Sequence, residues 1–90
     1  MGEWEPLEFT PQFMQSLERI RLRPAEFSRF LRGLTLLAEN ERHPSLRIHQ
    51  MKGDQAGLWT ASLSDVLRVR YRKLPDGKKL LVDLTQHYDV

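Results

Sequence analysis

The fold is decided by residues 66–87, VLRVRYRKLPDGKKLLVDLTQH, in which two segments of strand-like sequence flank a turn signal. Apolar and basic residues alternate over residues 66–72, and a period of two is that of a β-strand. A second strand is predicted from residue 79 to about residue 86. The Pro-Asp-Gly run at 75–77 is typical of a tight turn. The stretch therefore predicts an antiparallel hairpin.

The alternation also predicts how this hairpin pairs. In the first strand, one face carries Leu67, Val69 and Tyr71, and the other carries Arg68, Arg70 and Arg72. In the second strand, one face carries Leu80, Val82 and Leu84, and the other carries Leu81, Asp83, Thr85 and His87. A two-residue turn at Asp76-Gly77 would bring the apolar faces together and pair Arg70 with Asp83, Arg68 with Thr85 and Val66 with His87. Arg68, Arg70 and His87 are thus predicted to share one face.

Two helices are predicted upstream of the hairpin. The stronger signal begins near Pro24 and has apolar residues at helical spacing, namely Phe27, Phe30, Leu31, Leu34, Leu37 and Ala38. Gly33 inside this pattern predicts a close approach to the other helix. A shorter helix is predicted from Pro11 to about Arg21, with Thr10 as its N-cap.

The remaining segments complete a single α+β domain over residues 1–90. Residues 4–9 read as a short edge strand, residues 43–57 as a long basic connection and residues 58–63 as a further strand. The predicted order is β-α-α-β-β-β. This order predicts two N-terminal helices packed on a small, mostly antiparallel sheet.

The amino-acid composition and the charge distribution exclude some kinds of site and favour others. The 90 residues include no cysteine, which excludes disulfides, thiolate nucleophiles and cysteine-based zinc sites. No apolar run is long enough to span a membrane, and no leader pattern is present, so a cytoplasmic protein is expected. Residues 1–41 carry five Arg and seven Glu, a net charge of −2. Residues 42–90 carry nine cations, five Asp and all three His, a net charge of +4, which is typical of a protein with a polyanionic partner.

The predicted arginine face suits phosphate chemistry. A guanidinium presents a planar fork of donors that matches phosphate oxygens, and histidine carries protons near neutral pH. His87 beside Arg68 therefore suits cleavage of a phosphodiester by a 2′-hydroxyl, with His49 as a second proton-transfer group and Lys52 as a further cation. In the same hypothesis Tyr88 would orient a phosphate or stack on a base. The alternative is a solvated polar surface, on which His87 only caps the chain end and Tyr88 packs against the C-terminus. The three His have no metal-ligand spacing and no phosphate-binding glycine loop is present, so neither metal nor cofactor is expected.

Five short segments carry a family resemblance: HPSLR at 43–47, HQMKG at 49–53, GLW at 57–59, LRVRY at 67–71 and DLTQH at 83–87. In order and spacing they resemble the RelE/ParE superfamily of toxin–antitoxin toxins, especially the YafQ- and YoeB-like mRNA interferases. The resemblance implies a metal-free, ribosome-dependent endoribonuclease that cuts mRNA during translation. It also implies a cognate antitoxin that holds the enzyme inactive.

The resemblance assigns roles to individual residues. His49 and His87 match catalytic histidines, Arg68 matches the arginine that contacts the scissile phosphate, and His87-Tyr88 matches a terminal His-Tyr pair. In this hypothesis the RNA backbone is positioned by four further cations, Arg70, Arg72, Lys52 and Arg47. The implied partners are the antitoxin, mRNA and the ribosome, with no membrane; a homodimer is left open.

Two other hypotheses remain at this point. ParE-like toxins with the same fold block DNA gyrase without nuclease chemistry, and such a protein would not need His87 beside Arg68. A decayed homologue that only binds an antitoxin is the other alternative, because Thr60-Ala61 stand where many interferases carry basic residues.

Overall fold

Two helices pack on one face of a five-stranded sheet in the computed structural model, which describes residues 6–86. The elements are β1 (Leu7–Phe9), α1 (Pro11–Ile20), α2 (Pro24–Glu39), β2 (His49–Gln50), β3 (Trp59–Ser62), β4 (Leu67–Lys73) and β5 (Lys79–Gln86). The predicted α+β class and helix positions are confirmed. The sequence did not predict β2, which lies inside the long basic connection and is too short to show a period.

The strands lie in the order β1-β5-β4-β3-β2, with β1 parallel to β5 and every other pair antiparallel. The predicted first strand over residues 4–9 is observed from Leu7, and Trp4 lies outside the described residues. The core lies between the helices and the sheet and includes Phe13, Phe30, Leu34, Leu37, Leu67, Val69, Tyr71, Leu81 and Leu84. No helix within residues 6–86 is long and apolar enough to cross a membrane.

Thr10 attaches the start of α1 to the sheet. Its hydroxyl oxygen accepts a hydrogen bond from the backbone N–H of Phe13 at 3.0 Å, as the predicted N-cap requires. The single hydroxyl hydrogen is shared between the carbonyl oxygens of Leu81 and Val82, at oxygen–oxygen distances of 3.0 and 2.9 Å. One side chain thus satisfies a helix end and two carbonyl groups of β5.

The hairpin of β4 and β5 closes differently from the prediction. The loop has three residues, 75–77, because the N–H of Leu74 donates to the carbonyl of Lys78 at 2.8 Å and Lys73 pairs with Lys79. Gly77 has a φ of 91°, which a three-residue loop of this kind requires. The predicted two-residue turn is therefore wrong.

A β-bulge restores the predicted pairing further along the hairpin. Tyr71 pairs with Leu81, whereas Arg70 pairs with Asp83, so Val82 is an extra residue in β5. Beyond the bulge Arg68 pairs with Thr85, as predicted.

The bulge also changes which residues of β5 face the core. Leu81 and Leu84 are buried, whereas Leu80 and Val82 are only partly buried. The predicted common face of Leu80, Val82 and Leu84 is therefore wrong for its first two members.

Gly33 makes a close approach, but not to the other helix. A Cβ atom on Gly33 would lie 2.6 Å from the carbonyl oxygen of Leu63, in the turn between β3 and β4. The predicted helix–helix contact at this glycine is wrong, because the glycine lets α2 pack directly on a turn of the sheet.

Candidate nucleic-acid interface

The face of the sheet opposite the helices carries the predicted site. Because side chains alternate along β4, Arg68, Arg70 and Arg72 point away from the core that contains Leu67, Val69 and Tyr71. Directly paired residues of neighbouring antiparallel strands share a face. The polar face therefore has one row of His49, Thr60, Arg70 and Asp83 and a second row of Ser62, Arg68 and Thr85.

Arg70 is held by two partners on this face. Its Nε donates to Oδ1 of Asp83 at 2.8 Å, its second terminal nitrogen forms an ion pair with Oδ2, and its first donates to Oε1 of Gln55 at 2.6 Å. The hydrogen bond to Asp83 raises the pKa of Arg70, with burial opposing and the charge of Asp83 reinforcing the change. Asp83 also accepts from Nε2 of Gln12 at 3.4 Å. The predicted pairing of Arg70 with Asp83 is confirmed; a contact of Arg70 with RNA stays a prediction.

Arg68 differs from Arg70 although both lie on the same face of the same strand. It is partly exposed between Ser62 and Thr85, and its guanidinium forms no hydrogen bond or ion pair with any residue from 6 to 86. A guanidinium has five N–H donors in a fixed plane. Within the described residues, all five are available to a ligand.

His49 lies on β2, exposed at the edge of the sheet. Its Nδ1 is 3.2 Å from the carbonyl oxygen of Arg47. Because a carbonyl can only accept, this hydrogen bond forms in the tautomer that carries its hydrogen on Nδ1, and in that tautomer Nε2 has no hydrogen.

The other predicted cations are also exposed. Arg47 and Lys52 are exposed on either side of β2, and Arg47 has a left-handed backbone with a φ of 47°. Arg72 is exposed, and its terminal nitrogen lies 3.1 Å from where a Cβ atom on Gly57 would be. Together with Gln55 on Arg70, this contact shows that residues 53–57 fold over β4.

His87 and Tyr88 lie outside the described residues, as does the predicted pairing of His87 with Val66. The strand that leads to them is described to its last residue, Gln86, which pairs with Leu67. Their roles therefore remain those that the sequence predicts.

The structure adds residues that the sequence analysis missed. Gln12 and Gln55 contact the Arg70–Asp83 pair from distant parts of the chain, and no sequence signal indicates them. Arg29 and Arg32 of α2 line a cleft together with Arg68. Their spacing of three, on the helix face that contains Gly33, is the signal that could have indicated them. Within residues 6–86 no group of three or more His, Asp or Glu side chains could hold a metal ion.

Comparisons with known proteins identify the fold. No protein-family model and no curated protein matches the chain. Among solved structures, YafQ from E. coli strain BL21(DE3) matches with a TM-score of 0.72 and 17% identity, over 89% of this chain and 90% of that chain. The E. coli DinJ–YafQ complex matches with a TM-score of 0.70 and 18% identity, over 90% of this chain and 91% of that chain. The YoeB/ParE toxin from Agrobacterium tumefaciens matches with a TM-score of 0.65 and 24% identity, over 91% of this chain and 98% of that chain. The chain thus has the fold of these solved toxins, which is the fold that its sequence motifs indicated.

Proposed function

We propose that this protein is the toxin of a toxin–antitoxin pair and acts as a metal-independent endoribonuclease on mRNA at the ribosome. One observation carries the proposal: on a fold shared with YafQ, the polar face presents both Arg68, which has no protein partner among residues 6–86, and His49, whose Nε2 can take a proton. These are the residue types that phosphodiester cleavage by a 2′-hydroxyl requires.

The spacing of Arg68 and His49 suits a single phosphate between them. They lie two strands apart and two residues apart along the strands, which corresponds to about 12 Å between their Cα atoms at ordinary sheet spacings. Side chains as long as these can approach one phosphate group from two sides across that separation. Arg68 would then donate to the non-bridging oxygens, whose negative charge increases in the transition state.

Two histidines would move the protons. One of His49 and His87 removes the proton from the 2′-hydroxyl, whose oxygen forms a bond to phosphorus. The bond from phosphorus to the 5′-oxygen breaks, and the other histidine gives that oxygen a proton. The products are a 2′,3′-cyclic phosphate and a 5′-hydroxyl. The carbonyl of Arg47 holds the His49 ring by its Nδ1 hydrogen and stabilises the ring when it is charged.

The remaining cations would position the RNA. Arg47, Lys52 and Arg72 are exposed around the polar face and can contact backbone phosphates, and Tyr88 can orient a phosphate or stack on a base. Arg70 is a positioning residue in this proposal, because three of its N–H groups already hold Asp83 and Gln55. It keeps residues 53–57 folded over β4, next to Lys52.

A cognate antitoxin is the proposed protein partner. The structural neighbours include toxin–antitoxin complexes, E. coli DinJ–YafQ and RelBE2 from Mycobacterium tuberculosis. An acidic, disordered antitoxin segment that becomes ordered on the basic polar face would compete with RNA for the same arginines. A protein that acts on translating ribosomes works in the cytoplasm.

The proposal is tested by mapping transcript ends in cells after brief induction of the wild type, His87→Ala and His43→Gln. His43 is the matched control, because its ring accepts from the backbone N–H of Ser45 in a local turn. Cuts within translated mRNA, in phase with codons, should appear with the wild type and His43→Gln and be lost with His87→Ala. Growth arrest with intact transcripts would instead support a ParE-like gyrase inhibitor, and neither arrest nor cuts would indicate a homologue that only binds an antitoxin.

A further inference from the structure

A cleft of about 630 Å³ lies between α2, the turn after β3 and residues 45–47. Four arginines from three parts of the chain line it, and we call it the arginine cleft after them: Arg29, Arg32, Arg47 and Arg68. Arg68 and Arg47 belong to the proposed site, whereas Arg29 and Arg32 have no role in it. The cleft therefore extends the polar face onto α2.

The charges in the arginine cleft are not balanced by the protein. None of its four guanidinium groups forms a hydrogen bond or an ion pair with any other part of residues 6–86. Asp65 is the single carboxylate among the lining residues, so the lining carries a net charge of +3. Four like charges around one cleft repel each other, and a bound polyanion would relieve this repulsion.

The walls of the cleft are fixed by packing. Gly33 brings α2 against the backbone of Leu63, so the helix that carries Arg29 and Arg32 lies directly beside the β3–β4 turn. In that turn, Oγ of Ser64 accepts from the N–H groups of Val66 and Leu67, at 3.3 and 3.2 Å. The hydroxyl hydrogen of Ser64 is thus not used in these bonds and can donate to a ligand.

The lining favours a phosphate backbone over a protein partner. A protein interface is usually centred on aromatic or large apolar anchors. The large exposed apolar side chains of the described residues are Phe9, Met14 and Phe27, and none of them lines this cleft. Planar guanidinium groups and serine hydroxyls, in contrast, are typical contacts of nucleic-acid phosphates.

We propose that the arginine cleft binds backbone phosphates of the RNA strand next to the bond that is cut. Arg68 would contact the scissile phosphate at one end of the cleft, and Arg29 and Arg32 would contact phosphates further along the strand. The binding of RNA by the cleft rests on the proposed RNA substrate alone, whereas the position of the bound strand next to the cut bond also rests on the proposed cleavage. It makes Arg29 and Arg32 RNA-binding residues that hold the strand in line with the reacting phosphate.

The test measures the affinity of the purified protein for a fluorescently labelled 12-nucleotide oligouridylate over a range of salt concentrations. For single-stranded nucleic acid, each phosphate contact adds about 0.7 to the magnitude of the negative slope of log affinity against log salt. Arg29→Gln/Arg32→Gln removes two such contacts and should therefore reduce that magnitude by about 1.4. Affinity at low salt should fall by at least tenfold. The matched control, Arg19→Gln/Arg21→Gln, removes two exposed arginines of the α1 end that lie outside the cleft and should stay within twofold of the wild type.

Three results would overturn the inference: no RNA binding by the wild type, an unchanged salt slope in the cleft variant, or an equal loss in the control. An oligoglutamate peptide tests the acidic-protein alternative. If the cleft variant loses binding to this peptide but keeps the full salt slope for RNA, the cleft is a docking site for an acidic protein. If RNA binding depends on the cleft but the wild type makes no cuts in transcripts, the nuclease proposal fails and the binding of RNA by the cleft stands.

Discussion

Arg70 and Arg68 lie two residues apart on the same face of β4, and they have opposite surroundings. Asp83 and Gln55 together accept three hydrogen bonds from Arg70. No side chain among residues 6–86 forms a hydrogen bond or an ion pair with the guanidinium of Arg68. The difference shows that alternation along a strand selects the face of an arginine, whereas the residues on neighbouring strands and loops decide whether its N–H donors are used within the protein.

The partner of Arg70 is itself a buried charge. The Asp83 side chain is only 8% exposed, so its carboxylate depends on the hydrogen bonds of Arg70 and Gln12 in place of water. Removal of either charge from such a pair leaves the other without compensation. We therefore expect substitutions at the Arg70–Asp83 pair to change stability, and substitutions at Arg68 to change activity.

The largest effect is expected for activity at Arg68. Arg68→Ala should slow single-turnover cleavage of ribosome-bound mRNA by about 100- to 1,000-fold, the usual cost of removing one donor that stabilises a transition-state anion. Its free energy of unfolding should stay within about 0.5 kcal/mol of the wild type. Arg68→Lys keeps the charge but not the planar fork and should recover only part of the rate. Cleavage by Arg68→Ala within tenfold of the wild type would contradict the role of Arg68.

The next effect is expected for stability at Asp83. Asp83→Ala should lower the free energy of unfolding in urea by about 2–3 kcal/mol, because it leaves Arg70 half-buried without its carboxylate. The control is Lys78→Ala, which breaks an exposed ion pair with Glu8 at 3.7 Å and should cost about 0.5 kcal/mol or less. Equal losses in the two variants would show that the Arg70–Asp83 pair is not a stabilising element.

Gly33→Ala tests the wall of the arginine cleft. The added methyl group would lie within 3 Å of the Leu63 backbone, so α2 has to move away from the β3–β4 turn. Overpacking of this kind typically costs about 1–3 kcal/mol, which thermal or urea unfolding measures. Ser28→Ala, at an exposed position of the same helix, should stay within about 0.5 kcal/mol. A Gly33→Ala protein as stable as the wild type would mean that α2 and this turn do not pack as described.

A smaller effect on stability is expected at Tyr71, on the buried face of β4. The Tyr71 hydroxyl donates to Oε2 of Glu41 at 2.6 Å. Tyr71→Phe should lower the free energy of unfolding at neutral pH by about 1–2 kcal/mol. Burial acts to raise the pKa of Glu41, but the hydrogen bonds of Tyr71 and Lys73 and the charges of Lys73 and Lys79 outweigh it, so the pKa is lowered.

The sign of the pH dependence follows from these directions. Because its pKa is lowered in the folded protein, Glu41 stabilises the fold at pH values above its ordinary pKa of 4.5. This contribution to stability is lost as the pH falls below 4.5. Stability should therefore fall less steeply in Tyr71→Phe than in the wild type as the pH is lowered from about 5 to 3. Burial and the hydrogen bond to Glu41 raise the pKa of Tyr71, so wild-type stability should also fall as the pH rises above 10.0. Parallel acid profiles of the two proteins would contradict the contact.

The sequence predicted the pairing of Arg70 with Asp83, but two unpredicted features compensate each other there: the three-residue loop shifts the register of the hairpin by one residue, and the bulge at Val82 shifts it back. It did not predict the bulge, because residues 80–82 are all apolar and any of them can face the core. The Pro-Asp-Gly run fits a two-residue or a three-residue loop equally well. Likewise, a glycine in a helix indicates a close approach but does not say to what.

The residues of the candidate site were predicted where local sequence indicates them and missed where only tertiary packing brings them together. Arg68 and His49 are recognisable from local motifs. The arginine cleft, in contrast, combines residues 29 and 32 with residues 47 and 68, and only the packing of α2 on the β3–β4 turn brings them together. Gln55 reaches Arg70 through a loop that carries no motif.

The most direct test compares Arg68→Ala with the double variant Arg70→Met/Asp83→Leu in a purified translation reaction, with mRNA cleavage as the readout. An apolar pair can replace a buried ion pair with little loss of stability, so the double variant is expected to fold. If the unpartnered arginine is the functional one, the double variant keeps cleavage within about tenfold of the wild type and Arg68→Ala loses about 100-fold or more. A folded double variant that loses as much cleavage as Arg68→Ala, or an active Arg68→Ala, would contradict this division of roles.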